Sequence, residues 1–295
     1  MRFPEKTIFV LVVLLLVGSS IGEAARNLHS QDWGNYRQND RGRGSGGARW
    51  VYGLGLGLYQ ANHGTANYYN GSGPDHNLER TLNLHYNRDR LIRDIDEIIA
   101  SFAVYELAND MRYRPALQVG FYGGLELSRS FALLAEVNYA RLQALGRFTL
   151  ETDKETFTSE PYLLLCDISG AEERIDLRLG AQYTLHTPSY IHPFVEIGVS
   201  ITDTKVLSNR VSVKGININI RNALDEYYNI RDYGMGMGFY TTLGLKMEVN
   251  EQFAVRSGVS VNYIRINLGD NTRMDPQFTF FLRMDLSSVL SPTAP

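Results

Sequence analysis

The sequence predicts an all-β fold, an eight-stranded antiparallel β-barrel whose strands cross a membrane. Three observations lead there: eight runs of strictly alternating residues, one charge-free side on every run, and connections that are alternately short and long. Period-two alternation is the signature of a strand with two different faces. Among 295 residues there are 27 Gly and 18 Tyr but one Cys, and 44% are hydrophobic, which excludes disorder, collagen and a disulfide-framed mini-protein. A net charge of −3 offers no basic patch for nucleic acid. Beyond the N-terminus no apolar run reaches the roughly 20 residues of a spanning helix. The mean hydropathy of −0.22 is no obstacle to spanning strands, because a strand that meets lipid with every second residue averages to a hydrophilic score.

Residues 1–24 have the layout of a secretory signal peptide. Arg2 and Lys6 precede an unbroken apolar run over Ile8–Val17, and Gly22 and Ala24 set cleavage after Ala24. That run is too short for an N-terminal membrane anchor. No Cys lies near the cleavage site, so lipoprotein maturation is not expected. Residues 25–49 are polar and rich in Arg, Gly and Asn, which predicts a flexible periplasmic lead-in. The alternative there is a basic tether to acidic polymer or lipid headgroups. The barrel is expected over residues 50–286, with a C-terminal tail over 287–295.

The charge-free faces begin with Trp50-Tyr52-Leu54-Leu56-Leu58 and continue over Leu117–Leu127, Phe131–Tyr139, Ile175–Leu185, Val195–Ile201, Met235–Met247, Phe253–Tyr263 and Phe278–Leu286. The opposite faces are built of glycine, tyrosine and charges of both signs. A soluble barrel points its apolar face inward; here the charge-free face suits lipid, where a charge at mid-depth costs about 2–4 kcal/mol. Each run is close to the roughly 9–11 residues of a tilted spanning strand, and backbone groups in lipid must all pair, so the sheet must close. Trp50, Tyr52, Phe131, Tyr139, Tyr183, Phe253, Tyr263 and Phe278 lie toward run ends, as interfacial aromatics do.

An eight-stranded lumen is just wide enough for side chains to fill. Glu126, Glu136, Asp176, Glu196, Glu248 and Asp285 on the polar faces are therefore expected to pair with Arg174, Arg178, Lys246, Arg256 and Arg283 as an ionic plug. An ion or solute path is the alternative. Gly53, Gly55 and Gly57 fall every second residue, which marks a lumen wall and not a phosphate loop.

Connections at 128–130, 186–192 and 250–252 are short, whereas 61–113, 142–173, 203–233 and 267–277 are long. Short periplasmic turns and long outward loops are the pattern of an outer-membrane barrel, and both termini fall on the short side. Ten strands stay open, because Val211–Ile220 and Phe148–Thr152 also alternate; we favour hairpin extensions beyond the bilayer. In the first long loop Leu91, Ile92, Ile95, Ile98, Ile99 and Phe102 recur at helical spacing, which predicts one short amphipathic helix at about 89–107. It is expected to pack over the barrel mouth, with a lumen plug, a surface-lying helix or a partner-docking helix as alternatives.

His63, His76 and His85 share that loop with Asp75 and Ser72, but their spacing matches no nucleophile–base motif. No catalytic residue is expected. His186 and His192 flank Pro188 and Pro193 and read as turn chemistry, and neither a metal site nor a cofactor is expected. Tyr68–Pro74 reads as an exposed loop tip.

Tyr52-Gly-Leu-Gly-Leu-Gly-Leu58, Val119-Gly-Phe-Tyr-Gly-Gly-Leu-Glu-Leu127 and Phe278-Thr-Phe-Phe-Leu-Arg-Met-Asp-Leu286 form a series. Over about Trp50–Leu286 that series resembles the small bacterial outer-membrane β-barrels, OmpA/OmpX-like in outline, and is most similar to the PorT-like barrels of Bacteroidota. The resemblance implies an outer-membrane location, contact with its lipid and assembly by the general outer-membrane insertion machinery. For PorT-like proteins it also implies a link to protein secretion. One feature departs from it: proteobacterial barrels tend to end on an aromatic residue, whereas this chain continues through Ser287 to Pro295. The leading expectation is a non-enzymatic structural or interaction protein of the cell envelope, offering its long loops to an envelope or secretion partner. A narrow solute or ion channel and a lipid-modifying outer-membrane enzyme are the alternatives.

Overall fold

The computed structural model describes residues 49–73, 76–94, 101–154, 160–220, 232–249, 253–269 and 273–285. The expected signal peptide, nearly all of the lead-in and the tail lie outside these residues. The strands are β1 (Arg49–Gln60), β2 (Phe102–Glu106), β3 (Arg112–Tyr113), β4 (Ala116–Glu126), β5 (Phe131–Thr152), β6 (Tyr162–Thr184), β7 (Ile191–Val213), β8 (Ile216–Asn219), β9 (Tyr233–Glu248), β10 (Ala254–Asn267) and β11 (Asp275–Asp285). Pairing runs β5–β4–β1–β11–β10–β9–β7–β6, and β6 pairs back onto β5. Eight antiparallel strands thus close a ring, so the sheet has no free edge at that level.

The registers set the size of the ring. From Arg174 the successive paired residues are Ala140, Gln118, Gly57, Phe281, Gly258, Gly244, Phe194 and Thr184. Thr184 is back on the starting strand, ten residues along the chain from Arg174, which is a shear of ten. Eight strands with that stagger tilt by about 40° and leave an interior that side chains fill.

Faces follow the sequence. Trp50, Leu54 and Leu56 of β1, Phe131, Leu133 and Val137 of β5, and Val195, Ile197 and Val199 of β7 all point outward and are exposed. Across the ring they form an apolar belt. At one rim of the belt sit Trp50, Tyr52, Phe131, Tyr183 and Phe253; at the other sit Tyr139, Tyr263 and Phe278. Tyr263 stacks on Phe239 at 5.6 Å. From Phe131 to Tyr139 the strand climbs roughly 20 Å after correction for tilt.

Beyond Tyr139 the alternation continues but its chemistry reverses. On β5 the outward residues become Arg141, Gln143 and Arg147, while Leu142, Ala144, Phe148 and Leu150 turn inward and are buried. On β6, Asp167, Ser169 and Glu173 face out together with the exposed Leu163 and Leu165, and Leu164, Cys166 and Ile168 lie inside. On β7, Asp203, Lys205 and Arg210 face out against Val206, Val211 and Val213. β10 repeats the change at Tyr263, with Arg265 outside and Ile264 and Ile266 within. These strands are therefore single ribbons with two environments: a belt that is apolar outside and polar inside, then an extension that is largely polar outside and mainly apolar inside. The extension of β5 to Thr152 rises about 30 Å past the belt.

The alternating segments at 148–152 and 211–220 belong to this extension. β5 reaches Thr152, and β7 turns at Lys214-Gly215 into β8, which pairs with β7. Both turn residues have positive φ, 48° and 87°, the geometry of a type I′ hairpin, and the second position suits glycine.

The long first connection caps the extension. Three short helices, His63–Ala66, Leu78–Leu82 and His85–Asp94, are described where the sequence predicts one, with a 3₁₀ turn over Asn67–Tyr69. Asn62 accepts a bond from the Gly64 amide, and Asn77 one from the Arg80 amide, each at 2.8 Å, so an asparagine caps the N-terminus of the first two. The helical reading at about 89–107 is corrected at its end. The helix spans His85–Asp94, residues 95–100 lie outside the described residues, and Phe102–Glu106 is strand β2. That segment, Phe-Ala-Val-Tyr-Glu, has a strand former's composition and finds a partner in β5. Tyr69, Leu78, Leu82 and Leu91 are fully buried against the inward side chains of β5, β6, β7 and β8.

Candidate functional site

The site is the filled lumen together with the cap that seats on it. The same alternation that points leucine and valine outward drives charges inward, where each can persist only if it is paired and hydrogen-bonded. Arg174, Arg178, Arg256 and Arg283 are each no more than 2% exposed. Arg283 lies near the centre. It reaches Glu136 on the far wall with two bonds, 2.7 and 3.2 Å, and Glu196 with a third at 2.9 Å. Tyr240 donates to the other oxygen of Glu196 at 2.6 Å. Arg178 binds Asp176 at 2.6 Å and lies 3.7 Å from Glu136; Thr202 donates to Asp176 at 2.8 Å.

Toward the short-turn rim Arg256 holds Asp285 at 2.9 Å and Gln182 at 2.7 Å, and comes within 3.9 Å of Glu126. Lys246 bridges Glu126 at 3.5 Å and Glu248 at 3.2 Å. Aromatic faces fill what the ions leave. The Tyr122 ring lies 5.5 Å from Arg283 and 5.7 Å from Arg256, and Tyr240 lies 5.5 Å from Arg178. Glycines make room for these rings. Gly180, Gly198 and Tyr240 are paired neighbours on three strands, and a side chain on either glycine would run into the Tyr240 ring. Beside Glu136, Arg178 and Arg283 a cavity of about 10 Å³ remains, room for about one water.

At the upper limit of the belt Arg174 joins lumen to cap. It binds Glu172 at 2.6 Å, the Tyr59 hydroxyl and Gln277 at 3.0 Å each, and Thr65 of the first short helix at 2.8 Å. Tyr59 also donates to Gln277. Tyr69 from the cap and Tyr113 from β3 both donate to Glu172, at 2.6 and 2.8 Å. Sequence reasoning missed Glu172 because it placed 142–173 in a loop. Carrying the even-numbered alternation of Arg174, Asp176 and Arg178 one step back would have found it.

Burial, and then the nearby Glu172 carboxylate, push the Tyr69 and Tyr113 phenols well above their ordinary range. A phenol whose pKa rises on folding stabilises the fold below the unfolded value near 10 and withdraws that support as pH climbs past it. The cap should accordingly resist trypsin at pH 7–9 and become cleavable within residues 61–94 above about pH 10, by limited proteolysis with fragment masses. Equal cleavage at pH 8 and 11 would contradict the seating of Tyr69 and Tyr113 on Glu172.

The loop histidines do not assemble with Ser72. His76 is buried and bonds through Nε2 to Asp232 at 2.8 Å and to the Tyr68 hydroxyl at 2.6 Å, and Tyr68 also donates to Asp232 at 2.8 Å. Ser72 bonds to Asn70, His85 sits on the surface beside Asp89 at 3.4 Å, and Asp75 lies outside the described residues. The His76 cluster ties the cap to the strand entering β9. His186 and His192 lie ring to ring at 5.1 Å beside Thr187 in the short turn.

No known family model matches the chain, and no curated protein matches it. Among solved structures it is similar to Neisserial surface protein A, with a TM-score of 0.40 and 9% identity over 82% of this chain and 99% of that one. It is also similar to Ail, the attachment invasion locus protein of Yersinia pestis, in complex with the heparin analogue sucrose octasulfate (TM-score 0.36, 6% identity, 81% and 97% covered). A third likeness is to the outer membrane protein OprG from Pseudomonas aeruginosa (TM-score 0.36, 10% identity, 82% and 95% covered).

Proposed function

We propose that the protein is an exported barrel of a bacterial outer membrane, with its belt in lipid, its short turns in the periplasm and its extension outside the cell. Its work is structural or interactive, not enzymatic: a sealed anchor that holds a tall, capped platform toward an envelope partner. The link to secretion that the PorT-like resemblance implies belongs to the same reading, as does assembly by the outer-membrane insertion machinery. One observation supports this reading above the others. The belt is charge-free outside and ion-paired inside, and the polarity reverses within two residues, at Tyr139 and Arg141. Among the described residues Arg283 ties Glu136 and Glu196 across the lumen, and a cavity of about 10 Å³ is left beside them, which supports a closed interior.

Planar-bilayer recording tests the sealed anchor. The full chain should add no steady conductance. A steady unitary current that changes on Arg178→Ala or Glu136→Ala would replace the anchor with a channel. Cross-linking in native membranes, followed by identification of proteins joined through the extension, tests the interaction role. Recovery of lipid alone would count against it.

A further inference from the structure

The short connection between β6 and β7 closes on the foot of β7 through a histidine. The Thr187 hydroxyl donates to the Ile191 carbonyl at 2.6 Å and the Leu185 amide to the Pro193 carbonyl at 2.8 Å, so the turn folds back onto its own exit. Its third tie is to a side chain. The Thr187 amide donates to Nδ1 of His192 at 3.3 Å. An imidazole nitrogen accepts a bond only while it carries no proton. The neutral His192 ring therefore keeps its proton on Nε2, which lies 4.0 Å from the Glu248 carboxylate.

The surroundings decide what a second proton does. His192 points inward below Val195, the partner of the rim residue Tyr183, and is buried. On the turn the His186 ring stands 5.1 Å away, and Ser130 of the β4–β5 turn reaches its Nδ1 at 3.3 Å. On β9 Lys246 is the residue paired with His192, and Glu248 lies 3.2 Å from Lys246. Glu126 of β4 takes the other side of Lys246 at 3.5 Å. Burial holds the His192 ring below its ordinary pKa; Glu248 works against that, and His186 and Lys246 work with it. Protonation removes the Thr187 bond, sets a cation against the His186 ring and divides Glu248 between His192 and Lys246. A histidine that the fold keeps neutral supports the fold above its ordinary value near 6.5 and withdraws that support as the pH falls below it.

We propose that His192, with His186 beside it, is an acid-released latch: in neutral solution it ties the β6–β7 turn to the foot of β7, and on acidification it lets residues 186–190 swing away from the lower end of the ionic plug. The membrane reading above places this latch in the periplasm, but its chemistry does not depend on that reading, so the full chain refolded in detergent micelles tests it. Hydrogen–deuterium exchange of the peptide spanning 185–191, corrected for the intrinsic rate, reads the turn. Its protection should fall about fivefold or more from pH 7.5 to pH 5, while peptides from the middle of β7 and β9 keep theirs. His192→Asn leaves an acceptor near the place of Nδ1 but takes no proton. Its turn should be as protected at pH 5 as the unsubstituted chain is at pH 7.5. Two further variants should move the midpoint in opposite directions. His186→Asn removes a neighbouring like charge and moves it to higher pH; Glu248→Gln removes the attracting carboxylate and moves it to lower pH. Equal protection of the unsubstituted turn at both pH values, a response that persists in His192→Asn, or midpoints that shift the same way would overturn the proposal. So would a response abolished by EDTA, which would assign the histidine pair to a bound metal.

Discussion

Arg283→Met lowers the unfolding free energy of the inserted protein by about 3–5 kcal/mol, the usual cost of leaving a buried charge without its partner. Arg283 answers Glu136 and Glu196 together, at 2.7 and 2.9 Å, so its removal leaves Glu196 without a cation and Glu136 with only Arg178, 3.7 Å away, where water hardly reaches. Methionine keeps most of the side-chain volume, so the loss reads charge and not a void. Urea titration of protein in phosphatidylcholine vesicles, followed by tryptophan emission, measures it. Lys205→Met provides the comparison: Lys205 is an outward cation above the belt, lying over the Tyr233 ring at 6.0 Å. It should cost no more than about 1 kcal/mol, the worth of an exposed charge contact. A shift for Arg283→Met no larger than that of Lys205→Met would show that the lumen charges are not mutually dependent.

A charge placed on the outer wall should be costly or harmless according to height. Ile197 is 61% exposed in the middle of the belt, flanked by Ala181 and Thr241. Ile197→Arg should cost about 2–4 kcal/mol, the penalty for arginine near the bilayer midplane. Ser212 points outward on the same strand well above the belt, opposite Asp167. Ser212→Arg should change stability by less than about 0.5 kcal/mol, as an exposed surface substitution does. The same vesicle titration reads both. Equal and small effects would mean that the outer wall meets water along its whole height.

How far the sequence carried this structure depends on which faces could be told apart by composition. Within the belt the two faces of β7 read Val195-Ile197-Val199-Ile201 and Glu196-Gly198-Ser200, so strand, orientation and lumen charges were all legible. Closure of eight strands and the hairpin nature of 211–220 followed from the same periodicity and are found in the structure. Above Tyr139 the faces exchange character, and a reading that looks for apolar-out stops there. An apolar-out reading therefore places 142–173 in a loop and passes over Glu172. The cap was less legible still. Its helices are 4, 5 and 10 residues long, too short for a clear period, and they are held by burial of Tyr69, Leu78 and Leu91 against distant strands. Phe102 satisfied a helical spacing and lies in a strand because β5 offers it an edge. The bond of His76 to Asp232 joins residues 156 apart, and nothing local announces it.

The central claim is that one continuous ribbon passes from lipid to water between Tyr139 and Arg141. Nitroxide side chains placed singly at outward positions 133, 135, 137, 139, 141, 143 and 147 of β5, in a Cys166→Ala background, test it directly in vesicles. Collisions with dissolved oxygen should dominate through position 139, and collisions with a water-soluble nickel chelate should dominate from 141 onward. Chelate access at 133, 135 and 137 equal to that at 143 and 147 would contradict the account.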